Sequence, residues 1–328
     1  MVPDTICIMT APFATARLTR HPDGISAVDT EYIRPGLAAA HIIQHGGAAA
    51  FVDVGTNYSV PHLLAALQAL QVDPAAVEYV FVTHVHLDHA GGAGLLLQSL
   101  PNAQAVVHPR GAPHLIEPAR LIAASKEVYG EELYRQLYGD LIPIDASRVI
   151  TSADEKLMAL QDRPVQLLHT PGHALHHYCL VDLQHRNLFT GDTFGLSYRE
   201  LDTAQGAFGV PTTTPTQFDP EQLIASIERL MATGAQAAYL MHYSRVTGLP
   251  AIAASLKAQI RELAAIALRH ADAGDPYAAI YADLRALWIE LARRHGLAEP
   301  QASVDEYLSK DLDLNTQGLI AWLQRQRR

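Results

Sequence analysis

Four side chains that can bind a metal ion fall within six residues in the run Thr83-His84-Val85-His86-Leu87-Asp88-His89. The run leaves a short, almost wholly apolar stretch over 79–83, which predicts a strand covered on both faces. In extended chain His84 and His86 point the same way, because side chains repeat every two residues. A turn into a following helix, predicted over 90–100, then carries Asp88 and His89 back toward the same space. Gly91 and Gly92 let the backbone of that helix approach its neighbours closely. A lone histidine is ordinarily a core or surface residue. Four such groups packed at a strand end point instead to metal ligation.

Three later positions extend the set. His173 closes Thr170-Pro171-Gly172-His173 after a predicted strand over 164–169, and Asp192 ends Thr190-Gly191-Asp192 after another over 187–190. His242 follows a buried strand predicted over 237–241. All three sit just past strand C-terminal ends, where open α/β sheets place functional groups. Seven His and Asp ligands with no Cys are too many for one tetrahedral zinc. They suit two divalent ions about 3.5–4 Å apart that share a carboxylate and a water. Zinc is the first choice, with iron or manganese also compatible with imidazole and carboxylate. Such a pair lowers the pKa of bridging water toward 7 and gives hydroxide for attack on an ester, thioester, lactone or phosphoester. Asp88 would orient that nucleophile and pass a proton to the leaving group.

The elements that must position these groups can be read in outline. Strands are expected over 37–44 and 48–54, joined at Gly46-Gly47 as a hairpin, then a helix over 60–70 and a strand over 104–108. A helical stretch over 113–139, broken at Pro118 and Gly130, carries Tyr129, Tyr134 and Tyr138 and is placed to cap a pocket. A strand follows over 178–182, and residues 211–220, rich in Thr and Pro, read as an extended loop before a helix over 221–233. After Gly248 only helices are expected, over 250–270, 276–295 and 303–326, the last opened by a Ser303–Glu306 capping box. This divides the chain into a catalytic domain over 1–248, with its insertion at about 113–140, and a helical subdomain over 249–328 that could support a homodimer.

Composition limits the partners. The 328 residues are 49% hydrophobic and 18% charged, ample for a core, and the net charge of −10 disfavours phosphate backbones. Arg325, Arg327 and Arg328 read as a cationic helix end rather than a nucleic-acid patch. The expected partner is a small-molecule substrate, with neither nucleic acid nor membrane. Cys7 and Cys179 make no disulfide framework, and Cys179 reads as a small core residue. The first residues lack a basic segment and no apolar run reaches 18 residues, so the expected location is cytoplasmic.

The order His-x-His-x-Asp-His, Thr-Pro-Gly-His, Gly-Asp and a later lone His resembles the metallo-β-lactamase superfamily, on the branch that holds glyoxalase II and the acyl-homoserine-lactone lactonases. The resemblance covers roughly residues 35–245. It implies an α/β fold, an αββα sandwich with the metals at one edge, here followed by a C-terminal helical extension. It also implies His84, His86 and His173 on one metal, Asp88, His89 and His242 on the other, and Asp192 bridging both. Asp53, in Asp53-Val54-Gly55, matches an aspartate behind the ligand loop that would orient a ligand histidine; its alternative is a simple strand-end turn. His169 is expected to be a packed structural residue. Of His176 and His177, His177 is the candidate support for a ligand, against an ordinary buried role. Lactonases carry a tyrosine close behind the bridging aspartate that contacts the substrate carbonyl, which makes Tyr198 a candidate, with Tyr243 and Phe194 beside the substrate. Leu196 and Phe208 could extend that apolar wall, against an ordinary core role for all three. The expected activity is hydrolysis of a small ester, thioester or lactone. The alternatives are an iron-dependent dioxygenase of the same fold, which persulfide dioxygenases resemble, and a small-molecule phosphodiesterase.

Overall fold

Alternating apolar stretches bounded by tight turns build two sheets, seen in a computed structural model that describes residues 16–213 and 217–327. The first sheet runs β1 (Leu18–Arg20), β2 (Ile25–Asp29), β3 (Ala39–His45), β4 (Ala48–Val52), β5 (Val77–Val82), β6 (Gln104–Val107) and β7 (Val149–Thr151), in that order. Its first four strands are antiparallel, and β4 to β7 are parallel. The hairpin between β3 and β4 turns at Gly46 and Gly47, both at positive φ, as expected.

The second sheet contains β8 (Lys156–Leu160), β9 (Arg163–His169), β10 (Tyr178–Asp182), β11 (Asn187–Phe189), β12 (Ala237–Leu240) and β13 (Ser244–Thr247). Its order is β13-β12-β11-β10-β9-β8, antiparallel except for the β11–β12 pair. Phe81 and Val106 from the first sheet meet Leu167, Leu180 and Phe189 from the second in a buried layer between them. Helices α1 (Val60–Ala69), α2 (Leu87–Ala90) and α3 (Ala93–Gln98) cover the outer face of the first sheet through Leu63, Leu67 and Leu96.

The expected insertion forms α4 (Ala112–Ile116), α5 (Ala119–Tyr129) and α6 (Glu131–Tyr138), with breaks at Pro118 and Gly130. Helices α7 (Pro220–Ala232), α8 (Leu249–Arg269), α9 (Pro276–Arg294), α10 (Pro300–Tyr307) and α11 (Ser309–Gln326) cover the second sheet. Val181 and Leu188 of that sheet share one continuous apolar cluster with Leu256, Trp288 and Leu319 of the C-terminal helices. The fold is therefore α/β, two sheets flanked by helices with further helices at the C-terminus.

Several expectations change. The short strands β1, β2, β7, β8 and β13 carry too little periodicity to be read from sequence. The helix expected over 90–100 is broken at Gly91-Gly92, between α2 and α3. The helix expected over 303–326 is two, and Ser303 lies inside α10, which begins at Pro300; the capping box is not formed there, because Pro at N1 already sets the helix start. Cys179 is a buried free thiol, and Cys7 and Arg328 lie outside the described residues. Among the described residues no helix is long and apolar enough to cross a membrane.

Candidate metal centre

Strand β5 ends at Val82, and the chain stays extended through His84 and His86 before α2 turns back with Asp88 and His89 in its first turn. Parallel pairing pins this loop: Asp53 N–H bonds the Phe81 carbonyl, and Val54 N–H bonds the His89 carbonyl. Gly92 is required by close approach, since a Cβ there would stand 2.5 Å from the Thr56 carbonyl oxygen. Gly191 is required twice, by φ of +45° and by a Cβ position 2.6 Å from both Thr83 Oγ1 and His177 Nε2.

The sequence-distant candidates converge on this loop. Nε2 of His84 lies 2.8 Å and Nε2 of His173 3.1 Å from Nδ1 of His86. Asp192 Oδ2 is 3.3 Å from His173 Nε2, and its other oxygen, Oδ1, is 3.2 Å from His89 Nε2. On the second side, His242 Nε2 is 3.3 Å from Asp88 Oδ2 and 3.8 Å from Asp192 Oδ1. The atoms fall into two ligand groups, His84–His86–His173–Asp192 and Asp88–His89–His242.

The outward nitrogens explain why the inward ones are free. His89 Nδ1 pairs with Asp53 Oδ2 at 2.9 Å, His242 Nδ1 with the Leu37 carbonyl at 3.0 Å and His173 Nδ1 with the Thr212 carbonyl at 3.4 Å. His84 Nδ1 faces Thr83 Oγ1 at 3.1 Å, and that hydroxyl donates on to Asp53 at 2.8 Å. With the outer N–H so committed, each Nε2 turns a lone pair inward. Asp53 also accepts the Thr83 backbone N–H at 2.8 Å, so one carboxylate braces residues of both ligand groups.

Charge in the cluster favours a cation. Burial, reinforced by neighbouring imidazoles, drives His84 and His86 well below the ordinary histidine range and keeps them neutral. Burial opposes a charge on His89, but Asp192, Asp88 and Asp53 override it and raise His89 well above that range. Burial likewise pushes Asp192 up, and the charges of His89 and His173 more than offset this, leaving it well below the carboxylate range. Among the described residues no Lys or Arg pairs with Asp53, Asp88 or Asp192. His89 Nε2 and Asp192 Oδ1 are buried and make no hydrogen bond there. Buried carboxylates and inward lone pairs without a cation are costly, so the donor set fits a metal site.

His86, Asp88, Asp192 and His242 line a cavity of about 440 Å³. Its other walls come from the segment between β2 and β3, with Tyr32, Arg34 and Leu37, and from both accessory regions. The insertion supplies Leu121, Tyr129 and Tyr138, and the C-terminal helices supply Tyr307, Asp311 and Asn315.

The remaining candidates divide. His177 is buried, accepts the Asp192 N–H at Nε2 (3.2 Å) and pairs with Thr170 Oγ1 at 2.8 Å, so it braces the Asp192 backbone. His176 lines the cavity. His169 packs against His108, ring centroids 4.1 Å apart and tilted, and reaches the Ser152 carbonyl; it belongs to neither candidate ligand group. Tyr198 lines the cavity, but its hydroxyl points at Asp311, 3.2 Å and 3.4 Å from the two oxygens. Leu196 reaches the cavity, whereas Phe194 and Phe208 pack in the apolar cluster beneath it. Tyr243 turns away toward the environment of Asp29, Arg199 and Glu200 and is not a lining residue. Neighbours of Asp192 in sequence thus need not share its surface, because the chain turns tightly there: Thr193 N–H bonds the Thr190 carbonyl and Gly195 N–H the Asp192 carbonyl.

Asp311 was not legible from sequence. It lies in the first turn of α11, where a carboxylate is ordinarily explained by the helix dipole. Burial raises its carboxyl to about 6, opposed by His242 and the Tyr198 hydroxyl.

Comparison with known proteins agrees with this geometry. The family model of the metallo-beta-lactamase superfamily matches residues 33–242, from just before β3 through His242. The chain belongs to the metallo-β-lactamase superfamily. It is 30% identical over 158 residues to the metallo-beta-lactamase fold-containing protein ST1585 of Sulfurisphaera tokodaii, a match over 47% of this chain and 55% of that protein. It is 32% identical over 116 residues to the acyl-coenzyme A thioesterase MBLAC2 of Gallus gallus, over 34% of this chain and 39% of that protein. The chain thus spans about half, or less, of the length of these curated relatives. Among solved structures, ST1585 aligns with a TM-score of 0.63 at 22% identity, covering 90% of this chain and 98% of that one. The Thermus thermophilus protein TTHA1429 aligns with a TM-score of 0.59 at 20% identity, covering 88% of this chain and 89% of that one.

Proposed function

We propose that the chain is a hydrolase that holds two divalent metal ions and cleaves a small ester, thioester or lactone. The observation that supports this most directly is the division of Asp192: one oxygen faces His173 and the other faces His89, so a single carboxylate joins both ligand groups. His84, His86 and His173 would hold one ion and Asp88, His89 and His242 the other. Ions bound there supply a nucleophile from water near neutral pH and draw electron density from the substrate carbonyl.

The chain's own groups do the rest. Asp53 fixes the imidazole of His89 and, through Thr83, that of His84, so the ligand lone pairs are preorganised. Asp88 faces both His242 and the cavity, which lets its carboxylate hold a proton drawn from attacking water and return it to the leaving group. Leu37, Leu87, Leu121 and Leu196 line the cavity and would exclude water from an acyl group. The thioesterase name of the Gallus gallus relative supports including thioesters in the test, beside the esters and lactones of the branch that the motif resembles.

Zinc-loaded protein assayed against aryl esters, small thioesters, lactones and phosphodiesters is expected to turn over one of the first three classes. Asp88→Asn should lose most of that turnover, which excludes a contaminant. Protein purified without added metal that carries one iron per chain, and consumes oxygen with a persulfide, would replace this reading with the dioxygenase.

A further inference from the structure

The C-terminal helices bring a carboxylate to the cavity that the metal ligands do not use. Asp311 lines the cavity beside Tyr198, and its interactions besides that hydroxyl are the charges of His242, Asp192 and Arg34. A carboxylate has about four lone-pair positions, so one phenol leaves most of them open. The Tyr198 proton is committed to Asp311, so the phenol oxygen presents only lone pairs to the cavity. Arg34 completes the group. Its guanidinium lies over the Tyr198 ring, 5.0 Å from the centroid, and is held by Glu200 at 2.7 Å. Its Nη2 is buried and makes no hydrogen bond with a described residue.

An acceptor carboxylate with open lone pairs therefore sits beside one phenol on the cavity wall, with the Arg34 cation stacked on that ring. A hydroxyl can donate to those lone pairs, and it brings no positive charge for Arg34 to repel. We infer that Asp311, Tyr198 and Arg34 form a recognition subsite for a hydroxyl group on the substrate, remote from the scissile bond. Tyr198, with its proton given to Asp311, does not donate to the scissile carbonyl. The inference rests on the hydrolase reading above for its location, and it deepens that reading to a hydroxylated acyl class.

The test uses three matched substrates of one acyl length and one leaving group: hydroxy-substituted, methoxy-substituted and unsubstituted. The methoxy form keeps the oxygen but cannot donate. A hydrogen bond to a charged group contributes about 1.5–3 kcal/mol, so wild-type kcat/KM should favour the hydroxy form by roughly 10- to 150-fold over both others. In Asp311→Leu that ratio should fall to within about threefold. Asp311→Asn keeps one acceptor oxygen and should fall between. If Asp311→Leu fails to fold, the wild-type ratio alone still decides, as does calorimetric binding of the three corresponding carboxylic acids, which needs no turnover. Turnover without preference for the hydroxy form would overturn the subsite and leave the hydrolase intact. Preferential binding of the hydroxy acid without any turnover would support the subsite and overturn the hydrolase. An Asp311→Leu protein that keeps the wild-type ratio would assign the preference elsewhere and overturn the role of Asp311.

Discussion

The metal cluster and the wall opposite it are built in contrasting ways. The cluster draws on strand ends from both sheets, and nearly every outward nitrogen or oxygen has a partner, from Asp53 beneath His89 to His177 beneath Asp192. The wall adds the inserted helices and the C-terminal helices to the segment between β2 and β3, and it leaves much of the Asp311 carboxylate unanswered. A fully satisfied shell fixes geometry for chemistry, whereas open hydrogen-bonding capacity is what a site uses to choose among substrates. The candidate reacting groups are set by the sandwich, whereas the proposed selecting carboxylate, Asp311, comes from a helix added to it.

Substitutions can break or sharpen that contrast. The largest effect should follow loss of the shared carboxylate. Asp192→Asn is expected to lower kcat/KM by at least about a thousandfold, as several kcal/mol of stabilisation of the developing charge disappear. Metal analysis should find fewer ions per chain; two ions retained with near-native activity would sink the bridging assignment. Next comes the brace. Asp53→Asn should weaken metal affinity by about 10- to 100-fold, measured by competition with a chelator, while leaving the preference among substrates unchanged. A changed preference there would erase the division between the two regions.

The smallest effect concerns stability and lies on the wall. Asp311 is raised to about 6 when folded, against an ordinary 3.8, so the folded state favours its protonated form. Its contribution is thus present below about pH 4 and lost as pH rises through 6. Asp311→Asn, which removes the titration, should therefore raise the melting temperature at pH 8 relative to wild type by roughly 2–4 °C, with the gap closing toward pH 4. A gap independent of pH would mean that Asp311 is not held in a desolvated setting.

How far the sequence could be read depended on whether a signal was local. His84, His86, Asp88 and His89 are legible because two-residue periodicity followed by a turn brings them together without any distant contact. His173, Asp192 and His242 are legible one step further, because each follows an apolar stretch that reads as a strand. Phe194 and Tyr243 show where that reasoning stops: each lies within two residues of a ligand, yet both leave the cavity as the backbone turns. Asp311 shows the opposite failure. Its own sequence context says only that a helix begins nearby, and nothing local ties it to a tyrosine 113 residues away.

The amino-acid sequence alone determined the candidate ligand set, the α/β sandwich that carries it and the helical character of the last part of the chain. These follow from chemistry and periodicity within short windows. Tertiary structure alone decided that the C-terminal helices share their core with the second sheet, and that α11 turns Asp311 toward Tyr198. Helix packing of that kind depends on which faces meet across long separations, and burial in a common apolar cluster rewards many such pairings almost equally until side-chain shape selects one.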